Sequence, residues 1–192
     1  MRTILILLIT IMNIISGTEI EISISEQKLY LIENDSIVEE YVISTSAFGE
    51  GSKEGSFKTP LGKHAVKKLI GDQVPYGGRL IGRIFNGEIY PIHDEEKIIV
   101  KDDVVQSRVI WLEGLELGKN KGTGVDSFQR YIYIHGTPEE WRLGSKASKG
   151  CIRMSNLDVI NLFSKISLGT AVNITLDRKS GSAGMPRPIS YA

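Results

Sequence analysis

YIYIHGTPEEWRLGSKASKGCIRMSN, residues 131–156, is the stretch that decides the fold. Its first five residues belong to a run, residues 130–135, whose aromatic and β-branched side chains are typical of a strand. That strand reaches His135, and Gly136 follows it as a point where the chain can turn tightly. The segment ends in a helix start just beyond Cys151. We therefore predict a mostly β fold of β-sandwich-like mixed sheets, with one short helix after Cys151.

The helix is predicted from its cap and its apolar spacing. Ser155 can cap its N-terminus, and Asp158 three positions later supplies the carboxylate of a capping box. The residues that follow place apolar side chains on one helical face. Leu168 and Gly169 end the pattern, and residues 170–176 are predicted to form a closing strand.

The first half of the chain has the composition of short strands and turns. Asn34 and Asp35 stand between two apolar runs and predict a hairpin, because both residues tolerate turn conformations. Glycine and proline predict loops at residues 49–60 and a turn-rich stretch around residues 71–78. The other predicted strands are residues 21–24, 28–33, 37–45, 64–69 and 107–112, and residues 114–127 are predicted to form a surface loop.

Composition indicates a soluble globular protein. The chain has 192 residues, enough for one domain with a core, and 41% of them are apolar while 24% are charged. Lysine plus arginine equals aspartate plus glutamate at 23 each. Because this balance leaves no basic stripe, nucleic acid is not expected as a partner.

The N-terminus has the pattern of a secretory signal. Residues 4–15 are almost entirely apolar, follow Arg2 and precede small residues. The run is shorter than the roughly 20 residues of a membrane span, so no stable span is expected. A buried first strand is the alternative interpretation. We predict a signal peptide over residues 1–18, cleaved near Gly17 or Thr18.

The remaining boundaries follow from the end of the last strand. One folded domain is predicted over residues 19–177, and a loose Ser-, Gly- and Pro-rich tail over residues 178–192. An exported protein with this organisation is expected to work in the periplasm or cell envelope, outside the cytoplasmic membrane.

Cys151 is the only cysteine, so the chain cannot form an internal disulfide. In an exported protein a leftover cysteine indicates intermolecular pairing or a reactive thiol. A thiol with a pKa of about 8.5 becomes a good nucleophile near neutral pH when an imidazole takes its proton, and His135 could do this. Gly150, just before it, would let backbone N–H groups approach an oxyanion. Two such residues can also be simple core neighbours.

Two other kinds of site are not favoured by the spacing. The glycine-rich residues 49–55 and 118–124 do not fit a phosphate-binding pattern and are not followed by a helical segment. Zinc ligands usually occur in closely spaced pairs, and no two of the candidate ligands do so. Those candidates are His64, His93, His135 and Cys151. No metal or cofactor is expected, and His64 and His93 are predicted to be structural or exposed.

The motif around Cys151 resembles that of the L,D-transpeptidases, the YkuD-like family. That family's pattern is His-Gly, a dozen or more residues, and then Ser/Thr-x-Gly-Cys. Here His135-Gly136-Thr137 begins the motif, and Ser148-Lys149-Gly150-Cys151-Ile152-Arg153-Met154 follows twelve residues after His135. Residues 24–46 also look like the family's opening hairpin, and residues 58–62 like its Thr-Pro-x-Gly element. The resemblance covers most of residues 19–176.

The resemblance implies a cysteine enzyme acting on peptidoglycan stem peptides as donor and acceptor. Cys151 would form a thioester with release of D-alanine, with His135 as its base, and pass the acyl group to an amine. Gly136, Ser148, Gly150 and Arg153 are the implied substrate-binding residues; Arg153 could instead form an ion pair, and Ser148 could satisfy the turn. We expect His135 within hydrogen-bond reach of a partly ionised Cys151 thiol.

One departure from the family pattern and two alternative functions remain. Most members carry histidine where this chain has Lys149, which could support the thiolate or simply be solvated. Water as the acceptor would make the protein an L,D-carboxypeptidase, and the sequence does not separate the two. A non-catalytic cell-wall-binding module is less favoured, because a binder needs neither the Cys151 thiol nor its base.

Overall fold

The computed structural model describes residues 17–178. The predicted signal peptide falls mostly on residues 1–16, which lie outside the described residues, and so does nearly all of the predicted tail. Within residues 17–178, no helix has the length and apolar character needed to cross a membrane.

Ten strands and one α-helix form the structure. The strands are β1 Glu19–Ser23, β2 Lys28–Glu33, β3 Ser36–Ser44, β4 Gly62–Ile70, β5 Gly78–Ile81, β6 Ile84–Ile89, β7 Val105–Gly114, β8 Tyr133–Gly136, β9 Ile152–Met154 and β10 Ala171–Thr175. Helix α1 spans Asn156–Lys165, and one 3-10 turn spans Glu140–Arg142. The mostly β prediction with a short helix after Cys151 is confirmed.

The strands join in one mixed sheet that closes on itself. Its order is β4-β10-β1-β2-β3-β9-β8-β7, and β4 also pairs with β7, which completes the closure. The β5–β6 hairpin extends the sheet from the beginning of β7. The pairs β1–β10 and β8–β9 are parallel. The parallel β8–β9 pair is the part that positions the site, because it brings the two halves of the His-Gly and Gly-Cys motif side by side.

Local chemistry explains the elements that the sequence predicted. Asn34 and Asp35 both adopt positive φ, 51° and 57°, and so form the two-residue turn between β2 and β3. The Ser155 hydroxyl accepts a hydrogen bond from the Asp158 N–H at 3.0 Å, which caps α1 as predicted. Val159 and Leu162 of α1 are fully buried and cover the inner face of β7 and β8.

The core lies inside the closed sheet and under α1. Ile134 of β8 and Ile152 and Met154 of β9 point into it and are fully buried. Because side chains alternate along a strand, the neighbours of these residues point to the opposite, outer face. The outer face of β8 and β9 therefore carries the odd-numbered residues, among them His135 and Arg153.

Two predicted elements differ from the structure. Residues 130–132 turn rather than continue the strand, because Tyr131 has a positive φ of 58° and the Tyr131 and Ile132 N–H groups bond to Phe128 and Ser127 carbonyls. The stretch beyond Gly78 was not predicted as regular structure and forms the β5–β6 hairpin. Its outer residues are exposed, so it lacks the apolar alternation that a sequence pattern needs.

Candidate active site

The outer face of β8 and β9 brings His135 and Cys151 together. In the parallel register His135 is the partner of Arg153, and Cys151 stands two residues before Arg153. Cys151 directly precedes β9 and packs against the apolar cluster that includes Val109, the register partner of His135, so it lies on the face that carries His135. Tyr133, two residues before His135, also lies there and packs with Cys151 in an apolar cluster.

The His135 ring presents one free nitrogen. Nδ1 lies 2.9 Å from the Gly136 carbonyl oxygen, which can only accept, so Nδ1 carries the proton and donates. Nε2 is then an acceptor, and it is buried without a hydrogen-bond partner among the described residues. Burial lowers the pKa of His135 below 6.5; Asp103 and the Gly136 bond act against this, and Arg153 with it. The ring is therefore a neutral imidazole with its basic nitrogen unoccupied.

The Cys151 thiol bonds to a backbone carbonyl rather than to His135. Its Sγ donates to the Tyr131 carbonyl oxygen at 3.3 Å and makes no hydrogen bond to His135. Burial raises the pKa of Cys151 to about 12 and Asp103 acts in the same direction, whereas a hydrogen bond with the Tyr133 backbone and the charges of Arg153 and Arg130 act in the opposite one. The structure thus differs from the expected partly ionised thiol, because the thiol is desolvated and no imidazolium lies against it.

Arg153 belongs to a buried ion-pair network. Its Nη1 lies 2.7 Å from Glu139 Oε2, and its Nε and Nη2 lie 3.1 and 2.5 Å from Asp103 Oδ1. The Arg153 and Glu139 side chains are 5% and 3% exposed. The second Glu139 oxygen takes bonds from the Val100 N–H and from Arg142. The guanidinium is therefore already engaged by two carboxylates, and a role in substrate binding would need it to leave one of them.

Ser148 and Gly150 shape the loop that leads into Cys151. Ser148 is fully buried, and its hydroxyl donates to the Cys151 carbonyl at 2.6 Å and accepts from the Gly150 N–H at 3.3 Å. Thr59 of the predicted Thr-Pro element donates its hydroxyl to the Gly150 carbonyl. Gly150 has φ +120°, a conformation that a side chain would strain. Of the two roles considered for Ser148, these contacts support the one of satisfying the turn.

Gly136 is required by packing. A Cβ built there would lie 2.5 Å from Asn156 Oδ1 and 2.8 Å from the Gln106 carbonyl oxygen. Asn156, the first residue of α1, is fully buried and donates to the Thr137 carbonyl and to Glu140. Gly136 does not turn the chain, as its sequence position suggested, but stays in β8 and lets α1 approach this strand.

The other candidates lie apart from this site. His64 is buried and uses both ring nitrogens, with Nδ1 2.9 Å from the Gly62 carbonyl and Nε2 2.9 Å from the Ser127 hydroxyl. His93 is half-buried beside Glu139. Lys149 is exposed on a cavity of about 230 Å³ that Arg130 also lines. Within residues 17–178, no three His, Cys, Asp or Glu side chains are grouped so that they could hold a metal ion.

Two cavities define what surrounds the site. A cavity of about 190 Å³ lies beside it and is lined by Leu80, Gly82, Arg83, Val105, Val109 and Tyr133. A second cavity, of about 740 Å³, lies at the edge formed by β1, β4 and β10. Neither cavity is lined by His135 or Cys151, and we assign the smaller one to the site because Val109 is the register partner of His135 and Tyr133 belongs to the apolar cluster against which Cys151 packs.

Sequence reasoning missed Asp103, Glu139, Arg83 and Tyr133. Asp103 lies 50 positions from Arg153 in the chain and was part of an ordinary charged stretch. Arg83 and Tyr133 are not part of the His-Gly or Ser-x-Gly-Cys motif. Only their positions in the folded sheet reveal that they surround the site.

A half-buried thiol and a buried imidazole with a free ring nitrogen, on one face of a closed sheet, have the composition of a cysteine acyl-transfer site. A family model, YkuD, L,D-transpeptidase catalytic domain, matches residues 17–174. Because the match covers most of the chain, this protein belongs to the YkuD family of L,D-transpeptidase catalytic domains.

Curated relatives agree over a short region. YqjB of Bacillus subtilis, assigned as an L,D-transpeptidase, is 51% identical over 51 residues, which are 27% of this chain and 29% of that protein. YkuD of Bacillus subtilis, also so assigned, is 54% identical over 46 residues, 24% of this chain and 28% of that one. The matched part is thus less than a third of either relative.

Solved structures agree in fold. Bd1075 of Bdellovibrio bacteriovorus superposes with a TM-score of 0.52 at 17% identity, over 87% of this chain and 52% of that chain. The LD transpeptidase LdtMt1 in complex with imipenem gives a TM-score of 0.50 at 14% identity, over 83% of this chain and 59% of that chain. At these identities the likeness supports the fold alone.

Proposed function

We propose that this protein is a cysteine L,D-transpeptidase that acts on peptidoglycan stem peptides outside the cytoplasmic membrane. Cys151 is the nucleophile and His135 its base. The observation that carries the proposal is the free, buried Nε2 of His135 on the same face of β8 and β9 as the Cys151 thiol. A buried ring nitrogen without a partner is costly to keep unless it has a chemical use.

The acylation step begins from a neutral pair. Substrate entering the site displaces the thiol from the Tyr131 carbonyl, and His135 Nε2 takes the thiol proton as sulfur attacks the carbonyl carbon of the third stem residue. The resulting oxyanion is held by backbone N–H groups next to Cys151, including that of Gly150, whose present bond to Ser148 is long. As the tetrahedral intermediate collapses, the amine of D-alanine leaves with the proton from His135. A thioester on Cys151 remains.

The second step reverses the proton movement. The acceptor amine attacks the thioester carbonyl and gives a proton to His135 Nε2. The carbon–sulfur bond then breaks, the proton returns to sulfur, and a new amide links the two stems or anchors a protein. Neutral His135 is required at the start of both steps, which agrees with the lowered pKa of this ring.

The alternative acceptor is water, which would make the protein an L,D-carboxypeptidase. A non-catalytic cell-wall binder is the third hypothesis, and the unpartnered Nε2 argues against it.

One incubation separates these functions. Purified, reduced protein is mixed with a tetrapeptide stem and increasing amounts of a second stem with a free side-chain amine, and the products are identified by mass spectrometry. We expect D-alanine and a cross-linked dimer. Tripeptide with D-alanine at every acceptor concentration would support the carboxypeptidase, and no product with any diamino-acid stem would support the binder.

A further inference from the structure

The turn of the β5–β6 hairpin places an arginine where the backbone favours glycine or asparagine. Gly82 and Arg83 form the two residues between the strands, with φ of 56° and 72°. Such turns require positive φ at both positions and usually carry Asn-Gly or Gly-Gly. Asn34 and Asp35 meet the same requirement between β2 and β3 with residues suited to it. The side chain at position 83 therefore occupies a conformation that a local sequence preference does not explain.

Aromatic rings hold the Arg83 side chain in place. Its Nη1 donates to the Tyr133 hydroxyl at 3.2 Å. The guanidinium carbon lies 4.9 Å from the Trp111 ring centroid and 5.3 Å from that of Tyr131. These contacts use the face of the guanidinium and one N–H, and leave other N–H donors of its planar fork for a ligand.

Arg83 has no carboxylate partner within residues 17–178. The contrast with its neighbour on the same hairpin is direct, because Arg79 pairs with Glu88 at 3.2 Å. Arg153 is likewise neutralised by Asp103 and Glu139. Lys68 also lies over Trp111, but it does not line the cavity of the site. Arg83 lines this cavity, so it brings to it a positive charge that no carboxylate of residues 17–178 neutralises.

The cavity that Arg83 lines lies beside neighbours of the reacting groups. Arg83 and Tyr133 line one part of it, and Leu80, Val105 and Val109 give it apolar walls. Val109 pairs with His135, and Tyr133 packs with Cys151. A ligand group that enters this cavity thus lies against the neighbours of both candidate catalytic residues.

We propose that Arg83 binds a carboxylate of the peptide substrate and so determines which peptides enter the site. This inference rests on the proposed function. A stem peptide offers that group from two sources, the C-terminal carboxylate of D-alanine and the side-chain carboxylate of the diamino acid. Both present two oxygens that a guanidinium can bind through paired N–H bonds.

Three peptides and two variants test the inference. The peptides are a tetrapeptide stem with both carboxylates free, the same stem amidated at its C-terminus, and a stem with lysine as the third residue, which lacks the side-chain carboxylate. The full chain is compared with Arg83→Gln and with Arg79→Gln, the matched control on the same hairpin. Release of D-alanine or its amide gives kcat/KM, and thermal unfolding confirms that each variant folds.

We expect Arg83→Gln to lose about tenfold or more of kcat/KM on the stem with both carboxylates, since hydrogen bonds to charged groups are worth that much. The loss should nearly vanish on one of the two altered peptides, and that peptide identifies the carboxylate. Arg79→Gln should stay within about twofold of wild type.

An equal loss on all three peptides would overturn the inference, because Arg83 would then act only through Tyr133 and the cleft structure. Wild-type rates in a folded Arg83→Gln protein would overturn it as well. Failure of the unsubstituted protein to process any of the peptides is a different result, and it would reject the proposed function itself.

Discussion

His135 and Arg153 are register partners across the parallel β8–β9 pair, and their shared face carries Cys151 two residues before Arg153. The pairing turns a sequence motif into a site, because twelve residues separate His135 from Ser148 along the chain. It also places Arg153 opposite His135 and two residues after Cys151. Asp103, which binds Arg153, raises the pKa of His135 and of Cys151, whereas Arg153 lowers both. The ion-pair network therefore acts on both members of the proposed catalytic pair.

The roles proposed for His135, Cys151 and Lys149 predict how substitution of each residue changes the activity. His135→Ala and Cys151→Ala should each reduce D-alanine release to background, because one removes the base and the other the nucleophile. Lys149→Ala should keep most of the activity, since Lys149 is exposed. Rates are compared in folded, reduced protein. A loss in Lys149→Ala comparable to that in Cys151→Ala would show that the lysine takes part in the chemistry.

The neutral pair predicts an unusual pH dependence of thiol reactivity. With the pKa of Cys151 raised to about 12, alkylation by iodoacetamide should keep increasing with pH through pH 6 to 9. An imidazolium–thiolate pair would instead give a plateau near neutral pH. The rate constant is measured by mass spectrometry on the substrate-free protein, and such a plateau would refute the neutral pair.

Enzymatic activity should persist at pH values below 6.5. The base must be neutral, and because the pKa of His135 is lowered, the acid limb of kcat/KM should fall below pH 6.5. Asp103→Asn removes a charge that raises this pKa and should move the limb to still lower pH. A limb above pH 6.5, or one that moves upward in Asp103→Asn, would contradict this electrostatic account.

The buried network predicts a large effect of Arg153 on stability. Arg153→Met should lower the free energy of unfolding by about 3–5 kcal/mol, because it leaves the buried Glu139 carboxylate without its principal cation. Urea unfolding measures this. Arg153→Met combined with Glu139→Gln should be less destabilised than the single variant. If Arg153→Met unfolds like wild type and changes only KM, Arg153 binds substrate instead.

His64 predicts acid destabilisation away from the site. Burial lowers its pKa to about 4, so the folded state binds its proton less readily than the unfolded state does. Stability conferred by the neutral ring is present above pH 6.5 and is lost as the pH falls from 6.5 to 4. A pKa difference of this size is worth about 3 kcal/mol. Urea unfolding at several pH values should show that loss in wild type and a smaller one in His64→Gln.

Local features of the fold were predictable from the sequence, whereas relationships across the sheet were not. The turn at Asn34 and Asp35 and the cap at Ser155 depend on chemistry within a few residues. The β5–β6 turn was missed because Arg83 is an unusual residue for positive φ.

The same distinction between local features and relationships across the sheet applies to the candidate site. The motif indicated His135 and Cys151, but the tautomer of His135 depends on the Gly136 carbonyl, and the raised pKa of Cys151 depends on burial. Neither property can be read from spacing. The engagement of Arg153 was also hidden, because its carboxylate partners come from loops distant in sequence.

In the proposed mechanism Cys151 forms a thioester with the donor stem. Tetrapeptide stem without an acceptor is mixed with the protein, quenched in acid and digested, and the acyl adduct is located by mass spectrometry. The account predicts release of D-alanine together with a tripeptide acyl adduct on Cys151, absent from Cys151→Ala. Release of D-alanine by Cys151→Ala at the wild-type rate, or an adduct on another residue, would contradict it.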